Sequence, residues 1–564
     1  MLDTPPVSRR TRALVCAIAV LLFFWVALYR FNTLGGRFGG FENDHFVAFA
    51  YAKQVEAGEQ PLRDFEGLGL QGAWPSLTYE LSALAQRGLG DNLRSEAVLT
   101  VAGVALAAAL TFLAASQVSA IGWGLAATLV GVLVAPTLYN YIKVLTLAAA
   151  ALAIVVYARK PRMSIVAASA VITAIAFLFR HDLAAYVGVG VVCVCMSASS
   201  WRRGIQHTAA YIVLTLLLLT PSLVYVHYYD GLITYFRDGV ALSQREAERT
   251  PLLALPRFVF ETEPGAPVGI ADFFDVEQNG VAWLYCLVYL LPLLAVIVMW
   301  RQAPREPDWR ITAVIAIAVM TLFSSQFLIR SNVGARLGDV GPLVSVLLAV
   351  VCHAGARRWR TDTIWWRATR MVVVLLLFTA TTMSAATVGA VRSQLRTSRM
   401  DESWAAVLQH LLNVSNELKS MPSAALDDAN QGSPLYLARY INQCTAPSDR
   451  IVLMTYRPEL LPFAGRLFGA GRLSVVPGYV LGEPYQRKLI AWWRQQSVPI
   501  ALVGFDAFSD PRNPLAALVR DYLLTHYEMK GIVGAGDSAL RVFVRRDLTA
   551  TSSFGEEKLP CARS

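Results

Sequence analysis

Apolar residues recur in long runs along the first 391 residues of the chain, and mostly short loops separate these runs. A helix of roughly 20 mostly apolar residues crosses the hydrocarbon core of a bilayer. The pattern therefore predicts a polytopic α-helical membrane protein with about eleven transmembrane helices. The predicted helices lie at residues 12–30, 95–116, 119–136, 140–158, 163–180, 182–199, 206–227, 280–300, 310–329, 339–355 and 370–391.

Basic residues stand beside alternate ends of these helices. The clusters are Arg9, Arg10 and Arg12; Arg159, Lys160 and Arg162; Arg202 and Arg203; Arg301, Arg305 and Arg310; and Arg357, Arg358, Arg360, Arg367 and Arg370. Under the positive-inside rule they all face the cytoplasm. We therefore expect a cytoplasmic N-terminus, an extracytoplasmic (periplasmic) C-terminal region and a location in the inner (plasma) membrane. The first run could also be a signal peptide, but the bulky Phe23, Phe24 and Trp25 favour a retained helix.

The chain turns polar after residue 391. Apolar alternation predicts strands at 451–455, 473–476, 500–504 and 539–545, and helices at 458–466, 485–496 and 514–528. Strands that alternate with helices indicate a small α/β domain. We therefore predict a transmembrane domain at 1–391, which includes an exoplasmic loop at 31–94, and a soluble exoplasmic α/β domain at 392–564.

Composition supports the membrane assignment and limits the partners. Hydrophobic residues make up 55% of the chain, charged residues 16%, and the mean hydropathy is +0.46. The formal net charge is +10, but the cations stand beside the apolar runs rather than along one soluble face, which argues against nucleic acid. Cys444 and Cys561 are the two cysteines of the polar region, and outside the cytoplasm they could form a disulfide.

The loop at 31–94 carries the most specific motif. An acidic residue, Asp44, opens a predicted helix at 45–57, and Gly58-x-x-Pro61 and Arg63-Asp64-Phe65 follow it. This order resembles the first extracytoplasmic loop of GT-C glycosyltransferases, such as protein O-mannosyltransferases, the lipid A aminoarabinose transferase and mycobacterial arabinosyltransferases.

The resemblance implies a catalytic carboxylate in this loop. By position it is Asp44, with Glu42 as the alternative, and one such base suffices for an inverting transfer to an acceptor hydroxyl. Asp44 could instead only cap the helix that follows. No metal is predicted to be required, although Glu42, Asp44 and His45 leave a divalent ion possible. Glu42, Arg63 and Asp64 are candidate substrate-binding residues, and Asp64 could also only orient Arg63.

Further ionisable residues stand at the predicted exoplasmic ends of the helices. The candidate substrate-binding residues there are Lys143, Arg180, His181, Asp182, Arg330 and Arg336, with Asp339 beside the last two. Cations can bind a lipid phosphate and stabilise it as a leaving group. The alternatives are a lysine that snorkels from a helix end and ion pairs that only cap helices.

The resemblance and these residues together predict a glycosyltransferase. It would transfer a sugar from a polyprenyl-phosphate donor to a cell-envelope glycan, lipid or protein acceptor on the exoplasmic face. An O-antigen-type ligase or polymerase, or a flippase for lipid-linked saccharides, is the alternative. The expected partners are the donor, a glycan or glycolipid acceptor and membrane lipids, and not nucleic acid.

Overall fold

A computed structural model describes most of the chain. The described residues are 9–36, 38–66, 77–134, 136–249, 255–263, 266–269, 272–302, 308–329, 333–357, 363–427, 429, 433, 435–476, 482–505, 517–534, 539–549 and 552–561. The helices are α1 Arg9–Asn32, α2 Asn43–Glu56, α3 Leu77–Leu89, α4 Leu93–Val118, α5 Ile121–Leu133, α6 Tyr141–Arg159, α7 Met163–Phe179, α8 His181–Ser197, α9 Trp201–Tyr229, α10 Leu232–Arg249, α11 Glu277–Gln302, α12 Trp309–Ser324, α13 Gln326–Ile329, α14 Val333–Arg336, α15 Gly341–Ala356, α16 Ile364–Val388, α17 Val391–Ser398, α18 Trp404–Ser420, α19 Ser423–Asp427, α20 Tyr436–Cys444, α21 Leu460–Ala464, α22 Glu483–Gln495 and α23 Ala517–His526. Short 3-10 helices lie at Leu138–Asn140 and Leu337–Val340.

The long apolar helices follow the predicted pattern. In the described part of the chain, eight of them are long and apolar enough to cross a membrane. Three further apolar helices, α5, α7 and α8, are shorter. Each predicted span overlaps one of these helices. By helix length and composition the chain is therefore a multi-pass membrane protein, which confirms the predicted fold class, and the count of eleven stays a prediction.

The chain folds as two compact units, and each gathers distant segments. The first unit consists of residues 1–33, 100–221 and 250–411, and the second of residues 34–99, 222–249 and 412–564. The loop after α1 thus shares a unit with the polar C-terminal region. The domain boundary predicted between residues 391 and 392 stays a prediction, because these units are a different kind of division.

Gly338 allows two backbone segments of the first unit to approach closely. A Cβ atom on Gly338 would lie 2.6 Å from the Pro136 nitrogen and 2.7 Å from the Val134 carbonyl oxygen. Backbone atoms cannot give way as a flexible side chain would, so only glycine fits here. The contact fixes the 3-10 turn that carries Asp339, which is fully buried.

The second unit contains a mixed five-stranded sheet. The strands of the chain are β1 Glu261–Glu263, β2 Ala266–Pro267, β3 Arg450–Met454, β4 Leu467–Phe468, β5 Ile500–Gly504, β6 Tyr527–Val533, β7 Leu540–Arg545, β8 Ser552–Phe554 and β9 Leu559–Cys561. The sheet order is β4-β3-β5-β7-β6, in which β3 pairs parallel with β4 and β5, and β7 pairs antiparallel with β5 and β6. Helices α22 and α23 pack their buried Leu489, Trp493, Val519 and Leu523 on the sheet core. The polar region therefore contains α/β structure, as predicted.

One strand prediction in this region was wrong, and one strand was missed. Residues 473–476 form no strand, although they are fully or partly buried, and β3 pairs in parallel with β4 and β5 instead. Burial alone makes an apolar run look like a strand. The predicted helix at 514–528 ends at His526, where β6 begins. β6 is an edge strand in which only the first and last residues are buried, so it carries little signal of a buried strand.

Two ion pairs attach the loop after α1 to the C-terminal part of the second unit. Arg472, fully buried, lies 3.1 Å from the Glu66 carboxylate, and Arg450 forms a bidentate pair with Glu59. Burial raises the pKa of Glu66, while the charge of Arg472 acts in the opposite direction. Charged groups removed from water need such partners. These two ion pairs therefore hold the loop after α1 in one specific position on the C-terminal part of the second unit.

Cys444 and Cys561 form a disulfide that joins α20 to β9, with a separation of 117 residues. The other cysteines, Cys16, Cys193, Cys195, Cys286 and Cys352, are free. The bond supports the expectation of an oxidising compartment for this region.

Removal of the disulfide should destabilise the second unit. We expect Cys444→Ser to lower the free energy of unfolding by about 2–5 kcal/mol, because a cross-link over a long loop restricts the unfolded chain. Cys16→Ser, at an exposed free thiol, is the matched control. Maleimide labelling of the denatured protein should modify five thiols before reduction and seven after it; seven before reduction would contradict the bond.

Candidate functional site

Asp44 lies in the first turn of α2, and it receives a hydrogen bond from the phenol of Tyr456. Tyr456 lies two residues after β3, at the carboxyl end of a strand with parallel neighbours. The phenol donates to Oδ1 of Asp44, which is half-buried. No described group donates to Oδ2. One oxygen is thus held, and the other remains for a ligand.

Glu42, and not Asp44, occupies the N-cap position of α2. The interpretation of Asp44 as the N-cap of this helix is therefore wrong. The side chain of Glu42 makes no capping hydrogen bond, and it is exposed. Since a carboxylate near a helix N-terminus is favoured by the helix dipole, Asp44 is also stabilised by its place in the first turn.

His45 faces a different partner from Asp44. Its Nε2 lies 3.4 Å from Oε2 of Glu96, and its ring stacks on Phe41 at 4.0 Å. Glu96 also accepts hydrogen bonds from Ser82 and Gln86. Among the described residues, no group of three His, Cys, Asp or Glu side chains is arranged to hold a metal ion. The imidazole is therefore engaged in packing α2 on α4.

Arg63 and Asp64 pair with each other at 2.6 Å at the surface of the second unit. Arg63 also donates to the Gly58 carbonyl oxygen, and the Gln60 amide donates to Asp64. Desolvation acts to raise the pKa of Asp64, but the hydrogen bonds from Arg63 and Gln60 outweigh it and hold the pKa below its usual range. Asp64 thus orients Arg63 and closes the turn, and a substrate contact for either residue stays a prediction.

A second group of predicted residues meets inside the first unit. Lys143 forms an ion pair of 2.7 Å with Asp339, and the two side chains are 3% and 0% exposed. Arg336 lies 3.7 Å from the same carboxylate and donates to Asn140. Lys143 is therefore not a snorkelling lysine, because a snorkelling side chain reaches water.

The ring of Phe327 contacts both Lys143 and Arg180, the third cation of this group. The Lys143 ammonium lies 4.9 Å from the centre of its ring and the Arg180 guanidinium 5.5 Å. Arg180 also forms a bidentate pair with Asp182. His181 contacts Phe177 instead, at 4.5 Å between ring centres. Among the described residues, three cations thus stand against two carboxylates. Arg330 lies outside the described residues.

Sequence reasoning missed three residues that shape these sites. Tyr456 sits just past a parallel strand, a place where ligands commonly bind in open α/β sheets, and this rule could have identified it. Asp339 was noted only as a neighbour of Arg336, and its pairing with Lys143 spans 196 positions. Phe327 lies within an apolar run and carries no signal of its role.

Replacement of one residue of the Lys143 and Asp339 pair should lower the free energy of unfolding more than replacement of both. We expect Asp339→Asn to lower the free energy of unfolding by about 3–5 kcal/mol, because it leaves a buried ammonium without its counter-charge. The double variant Lys143→Met with Asp339→Leu should recover most of this loss. Denaturant unfolding in nanodiscs measures both, and Glu402→Gln in the exposed pair with Arg399 is the control. Additive losses in the double variant would contradict the pairing.

Comparisons with solved structures returned proteins similar to this chain over most of its length. The oligosaccharyltransferase of Archaeoglobus fulgidus in its apo form is 12% identical, with a TM-score of 0.47, and the match covers 88% of this chain and 70% of that one. The same enzyme in complex with an inhibitory peptide and a dolichol-phosphate is 11% identical, with a TM-score of 0.46 and the same coverage. ArnT from Cupriavidus metallidurans bound to undecaprenyl phosphate is 13% identical, with a TM-score of 0.47, covering 94% of this chain and 97% of that one.

No protein-family model and no curated protein matches the chain.

Proposed function

We propose that the protein is a membrane glycosyltransferase in which Asp44 is the general base. It would transfer a sugar from a polyprenyl-phosphate donor to a hydroxyl of a cell-envelope glycan, lipid or protein on the exoplasmic face. The observation that carries the proposal is the hydrogen bond from Tyr456 to Asp44. It holds a half-buried carboxylate in the loop whose motif resembles that of GT-C enzymes, and it leaves Oδ2 available to accept a proton.

The chemistry requires one base and one stabilised leaving group. In the proposed step, Oδ2 of Asp44 takes the proton of the acceptor hydroxyl while the oxygen attacks the anomeric carbon. A new C–O bond forms on the opposite face from the phosphate, so the configuration inverts. The bond between the sugar and the phosphate breaks, and its electron pair leaves on the polyprenyl phosphate.

We propose that the cations of the first unit bind a lipid phosphate. Arg336 is the strongest candidate, because its side chain is 17% exposed whereas that of Lys143 is 3% exposed. A guanidinium binds phosphate oxygens through paired N–H donors. Lys143 and Arg180 would add charge around the same group.

Asp44→Asn should abolish transfer without loss of folding. An amide cannot accept the proton, and loss of a general base typically costs about 10²–10⁴-fold in rate. The measurement is transfer from a synthetic polyprenyl-phosphate sugar in proteoliposomes, with release of polyprenyl phosphate followed by mass spectrometry. Glu42→Gln, two positions earlier, is the matched control and should retain transfer. Loss with Glu42→Gln but not with Asp44→Asn would assign the base to Glu42, and lipid movement without release of polyprenyl phosphate would indicate a flippase.

Tyr456→Phe should lower kcat while the donor KM stays unchanged. The substitution removes the hydroxyl that fixes Asp44 and keeps the ring, and an oriented hydrogen bond to a charged group is worth roughly 1.5–3 kcal/mol. We therefore expect a fall of about tenfold or more. Tyr228→Phe, at a phenol that is 80% exposed, is the control. An unchanged kcat would show that the hydrogen bond has no part in catalysis.

Arg336→Gln should weaken donor binding. Loss of a charge-assisted contact to phosphate corresponds to roughly a 10- to 100-fold higher donor Kd. Microscale thermophoresis in nanodiscs, with a synthetic polyprenyl-phosphate sugar as the donor, measures the change directly. Arg162→Gln, at an exposed position that precedes α7, removes the same charge from the predicted cytoplasmic end and should leave the Kd unchanged. Equal effects of the two variants would contradict the assignment.

A further inference from the structure

Helix α10 begins where a helix of membrane-spanning length ends. α9 is 29 residues long and apolar enough to cross a bilayer, and Val224 near its end is exposed. Tyr225, Tyr228 and Tyr229 stand in its last turns, and tyrosine is enriched at membrane–water interfaces. Gly231, at a φ of +77°, turns the chain, and α10 begins at the next residue. The start of α10 therefore lies at the edge of the hydrocarbon core.

One side of α10 exposes three large apolar side chains. Ile233, Phe236 and Val240 are 84%, 39% and 57% exposed. Their spacing of three and four residues places them on the same side of the helix. Arg237 borders this side and pairs with Asp238 at 3.1 Å, and the apolar stem of an arginine can lie along lipid while its charge reaches the headgroups. A cluster of exposed apolar side chains marks a surface that contacts a membrane or a partner.

The opposite side of α10 packs within the second unit. Tyr235 is buried against Leu62 and Val226. Asp230, just before α10, pairs with Lys488 of α22 at 3.3 Å. These contacts fix which side of the helix points outward. They also pair the charge at its start, so apolar contact rather than electrostatic attraction determines what the outward side binds.

We propose that α10 is an interfacial helix that lies along the bilayer surface, with Ile233, Phe236 and Val240 inserted between the lipids. The bilayer is the occupant because only two residues separate α10 from the apolar helix α9, so their apolar surfaces adjoin. Such helices insert their apolar side about 5–10 Å into the boundary between headgroups and acyl chains. Through its packing on Leu62, α10 holds the turn that carries Arg63 close to lipid. The insertion does not require the proposed transfer reaction.

The test measures the depth of α10 with the full-length protein in phosphatidylcholine nanodiscs. The fluorescent amino acid Anap replaces Ile233, Phe236 or Val240 singly, and lipid with a nitroxide on its headgroup supplies the quencher. Each position should lose about half or more of its emission, because an interfacial helix lies within roughly 5–10 Å of the headgroups. Met529, 44% exposed on the edge strand β6, is the matched control and should lose little. It lies at the opposite end of the sheet from Tyr456.

The three positions distinguish insertion along α10 from contact at one end. Similar quenching at all three, with little at Met529, supports the proposal whether or not transfer is observed. Quenching that falls steeply from Ile233 to Val240 overturns it, because a helix that leaves the membrane carries Val240 about 10 Å farther away. Equal quenching at Met529 overturns it as well, since the signal would then not be specific to α10.

Absence of quenching at all three positions also overturns the proposal. Quenching by iodide in solution would then show that the side faces water, and protection from iodide would show that a second copy or another protein covers it. Thermal unfolding confirms that each labelled protein is folded. Because the three side chains are exposed, each label replaces few contacts.

Discussion

Charged side chains that leave water must find partners, and this constraint organises both units of the protein. An unpaired ion in a low-dielectric interior costs several kcal/mol, and the cost is offset only by close counter-charges and hydrogen bonds. In the first unit Lys143 meets Asp339, and in the second Arg472 meets Glu66. Each pair joins segments that are far apart in the chain. The pairs therefore define which segments come together, while apolar packing supplies most of the driving force.

In the second unit, the same constraint fixes the segment that positions Asp44. Glu59 and Glu66 flank the turn that follows α2, and each is held by an arginine of the C-terminal segment. The same segment supplies Tyr456 to Asp44. A carboxylate in a surface loop would otherwise sample many orientations, and a positioned base needs one. A loop near the N-terminus and the region near the C-terminus thus belong to one compact unit.

The membrane helices were predictable from sequence because their signal is local. A run of apolar residues of the right length needs no knowledge of the fold, and α1, α4 and α11 lie within a few residues of the predicted positions. The α/β character of the C-terminal region was predictable for the same reason. The edge strand β6 was missed, since only its first and last residues are buried. Asp44 was identified through a motif, but its partner Tyr456 lies 412 positions away, and no local pattern connects them. Long-range pairs such as Lys143 with Asp339 depend on the fold itself.

The most direct test of the central claim is the state of the lipid-linked sugars and envelope glycans in cells. Mass spectrometry should compare cells that make the wild-type protein, the Asp44→Asn variant or none. If the protein is the proposed transferase, the variant and the deletion should accumulate the same polyprenyl-phosphate sugar and lose the same glycan modification, although the variant is present in the membrane in normal amount. Identical lipids and glycans in wild-type and Asp44→Asn cells would contradict the account.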